Sequence, residues 1–334
     1  MKHAVAAVLS LLLVASAAAE PGAQWQSVAS AGGWVDGVVR EVDAYGAARR
    51  PTALMVVHGD QVVAAFGDTA HKVNVRSVRK SFLSALYGIL IAEGKIDPAS
   101  TLAALGIDDS APGLTDDEKG ATVRDLLMAR SGIYHPAAYE TPDMRKKRPQ
   151  RGSHAPGSFW YYNNWDFNAL GTVYRQKGGE DIFEGFERRV AHPIGMEDFA
   201  AKSCRYHREP SSIHEAYLFE ISARDMARFG LLFANGGRWN GKQVVPEAWV
   251  GESTRAYSET DRPGRGYGYL WWTIAPEHAG AATVLASGWG GQHVAVIASK
   301  KLVVVQTVDL AQNARPLRTT PFLELLRKIT ALTP

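Results

Sequence analysis

The chain has 334 residues and a formal charge of +3 spread along its length. That distribution argues against a nucleic-acid binder, which concentrates basic residues on one face. Cys204 is the only cysteine, so no intrachain disulfide can form; with no partner motif it reads as a packing or surface residue.

The first nineteen residues read as an export signal. Met1-Lys2-His3 is a short basic start, Ala4 to Val14 is an apolar run, and Ala15-Ser16-Ala17-Ala18-Ala19 supplies the small residues of a cleavage site. The run is too short to span a bilayer comfortably, and no other segment is apolar for long enough to cross a membrane. No cysteine stands near the cleavage site, so a lipid anchor is not supported. The expectation is an exported protein, periplasmic or secreted, held together by core packing rather than disulfides.

After the signal, Trp34 to Ala47 has apolar residues at helical spacing. Two β-branched runs then flank His58-Gly59-Asp60, predicting a hairpin. Ser77 to Glu93 reads as a helix that Gly94 terminates. Strand signals nearly vanish beyond it and capped helices replace them. Thr122-Val-Arg-Asp125 and Ser222-Ala-Arg-Asp225 both look like capping boxes with Asp in place of Glu. Strands return late, at Gly266–Ala275, Ala282–Ser287, His293–Ser299 and Lys301–Leu310, and Thr320–Leu332 closes the chain as an amphipathic helix.

This order predicts an α+β fold, an α/β/α sandwich. One antiparallel sheet is built from both chain ends and flanked by the terminal helices, and the segment between them forms a mostly helical lobe. The expected division is an α/β lobe of 28–105 plus 264–334 and a helical lobe of 106–263. A small-molecule site is expected in the cleft between them.

Three short motifs carry the chemistry. Ser77-Val78-Arg79-Lys80 puts a hydroxyl and an amine one helical turn apart. A serine needs a base to become a nucleophile, and a lysine can be that base only when uncharged. A helix N-terminus at Ser77 would disfavour the ammonium and offer N–H groups to an oxyanion. S-x-x-K alone is a weak signal; here it opens a helix whose body is almost wholly apolar, which argues that Lys80 is buried. The second motif, Trp160-Tyr161-Tyr162-Asn163-Asn164, is expected at a loop–helix junction. A tyrosine there can relay a proton if adjacent lysines lower its pKa, and an amide can hold the lysine or a substrate carbonyl. The plain alternative is an aromatic packing cluster. The third, Ser287 to Gln292, is a glycine-rich turn between strands. Gly288 would let substrate approach, and an N–H near Trp289 would face Ser77 as a second oxyanion donor; a simple hairpin turn suits these residues equally.

With these motifs in this order, the chain resembles the serine β-lactamase and penicillin-binding-protein superfamily. It is most similar to the class C β-lactamase-like branch that includes esterases and 6-aminohexanoate-dimer hydrolases. The resemblance covers essentially all of the chain after the signal. It also rests on TVRDLLMARSGI, YYNNWDFNALG, ISARDMARFGLLFANGGRWNGKQVVPEAWV and GYGYLWWT. It implies that Ser77 forms an acyl-enzyme, that Lys80 accepts its proton, that Tyr162 protonates the leaving group, and that Asn164 steadies Lys80 and the substrate. Tyr161-x-Asn163 also fits the Y-x-N pattern; the run from Tyr162 through Gly171 favours Tyr162. The third motif departs from the family: Ala286-Ser287-Gly288 stands where β-lactamases carry Lys-Thr-Gly, and there is no clear Ser-Asp-Asn. This favours an esterase or an amidase for small linear amides. A β-lactamase, a D-alanyl-D-alanine peptidase and a non-catalytic binding protein of the same fold are the alternatives.

Asp143 to Arg151 holds five basic residues and reads as a solvated loop, with a carboxylate-attracting rim as its functional alternative. His154 and His214 are lone histidines of the kind that are usually structural. No HExxH or paired histidine spacing suggests a metal, and no glycine-rich loop suggests a nucleotide cofactor. No G-x-S-x-G elbow occurs, which argues against an α/β-hydrolase.

Overall fold

The computed structural model describes residues 24–28, 33–312 and 315–334. The export signal read over residues 1–19 lies outside the described residues. A nine-stranded sheet organises the molecule. Its strands are β1 (Gln26–Ser27), β2 (Ala53–His58), β3 (Gln61–Gly67), β4 (Ser258–Glu259), β5 (Arg265–Tyr267), β6 (Trp272–Ile274), β7 (Thr283–Gly288), β8 (Gln292–Ile297) and β9 (Leu302–Thr307). They lie in the order β1-β3-β2-β9-β8-β7-β6-β5-β4. Every pair is antiparallel except β1 with β3. The two chain ends meet where β9 pairs with β2, from Leu302 opposite His58 to Thr307 opposite Ala53.

Strands β8 and β9 are buried at every position, so both faces of the sheet are covered. This is why Leu-Val-Val-Val reads as a continuous apolar run rather than an alternating one. Helices α1 (Trp34–Arg49), α2 (Arg79–Ala92), α3 (Asn164–Gly178), α4 (Ala223–Ala234) and α5 (Thr319–Leu332) supply the layers. The terminal helices α1 and α5 pack together: a Cβ at Gly37 would lie 3.2 Å from Leu332 Cδ2, and Lys328 pairs with Glu41 at 2.8 Å. Helix α5 lies on the sheet through Phe322, 4.6 Å from the ring of His293. Helix α4 seats on the opposite face, where a Cβ at Gly230 would fall 2.5 Å from Val303 Cγ1 and 2.9 Å from Val294 Cγ1. The architecture is the expected α/β/α sandwich, with α4 from the intervening segment as its second outer layer.

Three local expectations change. Gly266–Ala275 is two strands rather than one. The chain reverses through Gly268–Trp271, where Leu270 takes a φ of 66°, and the Tyr269 and Leu270 carbonyls accept hydrogen bonds from Ser84 Oγ and Ser81 Oγ at 2.8 and 2.9 Å. The intervening segment holds a hairpin, Arg205–Glu209 with Ser212–Leu218. Its sequence pattern is inverted, with Ser212 and His214 buried and Ile213 60 % exposed, so hydropathy alternation could not reveal it. The two capping motifs also diverge. Thr122 and Asp125 form a reciprocal box. Ser222 caps Asp225 N, but the Asp225 carboxylate accepts from the backbone of Glu197, Asp198 and Phe199 instead. Among the described residues no helix is long and apolar enough to cross a membrane.

Candidate active site

The segment leading into α2 is fixed before the helix begins. Val73 and Asn74 pair with Ile221 and Glu220, and Asn74 Oδ1 accepts from Arg76 N at 3.0 Å, a short polar turn of the Asx kind. Arg76 takes a φ of 53°, a left-handed conformation that costs an L-residue about 1 kcal/mol. A 3₁₀ turn, Arg76–Val78, then feeds α2, so Ser77 sits in that turn rather than in the α-helix proper. Gly288, the last residue of β7, closes on the same turn: a Cβ there would lie 2.4 Å from the Val75 carbonyl oxygen. Only glycine allows this approach without displacement of the backbone.

Lys80 is the hub. Its Nζ lies 2.9 Å from Ser77 Oγ, 2.8 Å from Tyr162 Oη and 3.0 Å from Asn164 Oδ1, and the residue is 1 % exposed. The Asn164 amide is oriented by its other end, where Nδ2 donates to the Tyr139 carbonyl at 2.7 Å. Tyr162 ends the loop and Asn164 opens α3, the expected junction. The choice between the two Y-x-N registers is visible in the contacts. Tyr161 Oη donates to the Met144 carbonyl at 2.8 Å, while Asn163 caps α3 through Trp165 N and donates to Ile133 O and Asp166. Tyr161 and Asn163 serve packing; Tyr162 and Asn164 reach the lysine.

The Lys80 amine is held well below the usual lysine range, first by burial, then by the positive charges of Arg79 and Arg262. Burial and two guanidinium groups thus accompany the effect expected of the helix terminus. Tyr162 departs from expectation. Its pKa is raised, because burial outweighs the hydrogen bond with Ser77 and the nearby Arg262 and Arg79. A phenol in this setting keeps its proton at neutral pH.

A cavity of about 600 Å³ opens beside Tyr162, walled by Phe159, Trp160, Tyr257, Arg130 and Arg262 among others, a size that suits a small organic substrate. Trp272 stacks on Tyr162 at 5.3 Å, and the Arg262 guanidinium lies 4.6 Å over the Trp272 ring. Sequence reasoning missed Arg262 and Trp272 because nothing local links a loop after β4 to the S-x-x-K turn. Arg79 was in view as the third letter of that motif, yet carried no signal of its own.

The remaining candidates make no side-chain contact with Lys80. Trp289 is 56 % exposed on the β7–β8 turn, with Arg76 beside its ring at 5.9 Å. In the basic segment Lys147 meets Asp143 at 3.2 Å and Arg151 meets Glu118 at 2.7 Å, and Arg148 pairs with Glu140. Asp143, Met144, Lys147 and Pro149 rim the cavity, but the rim's charges are largely matched. His154 stacks on Phe159 at 4.0 Å. His214 is buried and shares a 2.9 Å hydrogen bond with Thr172. Burial pushes the Cys204 thiol up to about 11, so it is not a reactive thiolate. Among the described residues no group of side chains could hold a metal ion.

A serine, a buried amine and a phenol in mutual contact can supply a nucleophile with proton-transfer partners. A β-lactamase family model matches residues 35–326; the chain belongs to the β-lactamase family. Among curated proteins no sequence match was found. Solved structures share the fold. A Bacillus anthracis protein assigned as a 6-aminohexanoate-dimer hydrolase aligns with a TM-score of 0.69 at 21% identity, covering 92% of this chain and 87% of that one. A penicillin-binding-protein homologue from Caulobacter crescentus aligns at 0.67 and 14% identity, covering 91% and 99%. A class C β-lactamase aligns at 0.63 and 13% identity, covering 89% and 96%.

Proposed function

We propose that this protein is a serine hydrolase that cleaves an ester or a small linear amide through an acyl-enzyme on Ser77. The observation that supports this best is the buried Lys80 amine, 2.9 Å from Ser77 Oγ and 2.8 Å from Tyr162 Oη. Uncharged Lys80 accepts the Ser77 proton as Oγ attacks the substrate carbonyl. Tyr162, kept protonated by burial, delivers a proton to the leaving group and is restored through Lys80; the reverse path activates water for deacylation. Asn164 holds the amine in place, and backbone N–H groups at Ser77 and Trp289 stabilise the oxyanion. The site occupies the crevice between a sheet lobe, 28–105 plus 264–334, and a helical lobe, 106–263, of an exported protein.

Esters and linear amides are preferred over β-lactams because Ala286-Ser287-Gly288 brings no cation to the end of β7. The neighbour assigned as a 6-aminohexanoate-dimer hydrolase fits the same choice. A fluorophosphonate probe should label one site per chain, on the Ser77 peptide, and a p-nitrophenyl ester should give a nitrophenol burst that Ser77→Ala abolishes. Labelling elsewhere, or an undiminished burst in that variant, refutes the assignment. A higher kcat/KM for a chromogenic cephalosporin than for the ester would refute the substrate choice alone.

A further inference from the structure

Arg79 is the least explained charge in the molecule. It is 1 % exposed at the first position of α2, next to Lys80. Its Nη2 donates to Asn168 Oδ1 at 3.2 Å, its guanidinium carbon lies 4.2 Å over the Tyr217 ring, and Nε and Nη1 find no protein acceptor. Among the described residues no carboxylate lies within ion-pair distance of it. A guanidinium cannot shed its proton in a protein, so the charge persists in a setting where isolated charges are strongly disfavoured. Such an arrangement survives when something other than stability retains it.

We propose that Arg79 is a positioning residue: its permanent charge, buried beside Lys80 with no carboxylate to neutralise it, holds the Lys80 amine in the uncharged state that accepts the Ser77 proton. The inference rests on the proposed role of Lys80 as base. Among the described residues no element around the pair presents an ionised carboxylate to it. The 3₁₀ turn presents Ser77. The α3 junction and helix present Tyr162, Asn164 and Asn168. The 205–218 hairpin presents Tyr217, β5 presents Tyr267, and the loop after β4 adds a further cation, Arg262. Asp166 on α3 is the buried carboxyl of this region, and burial lifts its pKa well above the usual range, so it favours its neutral form. Lys80 Nζ meets Asn164 and Arg79 Nη2 meets Asn168, one turn apart on α3, so the two groups share one buried face; like charges repel there, and only the lysine can respond by losing a proton. The same charge explains part of the depression already described for Lys80.

Two variants remove the effect in different ways. Arg79→Met deletes the charge with similar bulk. Asn168→Asp leaves the guanidinium and places a carboxylate where an amide oxygen now accepts from it. Fluorophosphonate labelling of Ser77 should be followed by intact mass against pH in the full chain. In both variants the acid limb of the rate profile should move up by at least about one pH unit, an approximately ten-fold loss at a fixed pH on that limb, while the alkaline plateau stays near that of the unaltered protein. A limb that does not move, or a loss of equal size at every pH, overturns the inference. If Arg79→Met fails to fold, the profile of Asn168→Asp decides. Failure of the unaltered protein to label at Ser77 would instead overturn the catalytic reading, and this inference with it.

Discussion

Two arginines of equal burial behave differently. Arg228, on α4 beneath the sheet, is 0 % exposed and is paired with a carboxylate. Its Nη2 meets Glu197 Oε1 at 3.1 Å, its Nη1 donates to the Ile194 carbonyl at 3.2 Å, and its guanidinium carbon lies 5.0 Å from the Trp25 ring. Glu197 also meets Arg224 at 3.1 Å. Together with Asp225, which gathers three backbone N–H groups of the 197–199 turn, these residues tie the turn to α4. Arg79, beside Ser77 and Lys80, has an amide, an aromatic face and, among the described residues, no carboxylate. Burial therefore does not separate structure from function here; neutralisation does. A charge whose partners satisfy it holds elements together, whereas one left uncompensated shapes the ionisation of its neighbours.

The largest effect should come from removing the base itself. Lys80→Ala should slow Ser77 labelling by roughly 10²–10⁴-fold with a thermal melt close to that of the unaltered protein. A near-normal labelling rate would break the comparison, because Arg79 would then have no amine to act on. Next, Arg228→Met should lower unfolding free energy by about 3 kcal/mol in a denaturant titration, as expected for breaking a buried pair. Arg79→Met should fall within about 0.5 kcal/mol of the unaltered protein or exceed it, since it strands no carboxylate. Equal losses in the two variants would make both arginines structural.

The smallest effect sharpens the comparison through pH. Lys80 has a depressed pKa in the folded protein, so between that value and the ordinary lysine value of about 10.4 the unfolded chain binds the extra proton. Unfolding free energy must therefore rise with pH across that window. Subtracting the curve of Lys80→Met from that of the unaltered protein should leave this rising contribution. The same subtraction in an Arg79→Met background should give a narrower window, and in an Arg228→Met background an unchanged one. A difference curve that falls with pH would show that the amine stays charged in the folded state.

Much of the site was legible because its key spacing is local. Ser77 and Lys80 are one turn apart in any helical geometry, and the apolar stretch after them implied burial. Tyr162 and Asn164 were legible as a loop–helix junction, but Tyr161 and Asn163 offered the same pattern. What separates them is which phenol meets Met144 and which meets Lys80, a matter of how α3 enters the fold. The phenol's raised proton affinity was not legible for the same reason: local sequence does not display desolvation. Trp272 and Arg262 approach Tyr162 from the far end of the chain, and the inverted hairpin at Arg205–Leu218 concealed the wall that carries Tyr217.

The amino-acid sequence by itself determined the sandwich, since continuous β-branched runs at both chain ends can only be satisfied by sharing one sheet covered on both faces. It also determined the hydroxyl–amine pair, because a covalent spacing of three residues leaves helical geometry little choice. Tertiary structure alone decided which tyrosine joins them, which arginines surround them, and that among the described residues no carboxylate intervenes. Those features depend on distances between segments far apart in the chain and on how completely water is removed between them, and neither quantity is encoded by any short stretch of residues.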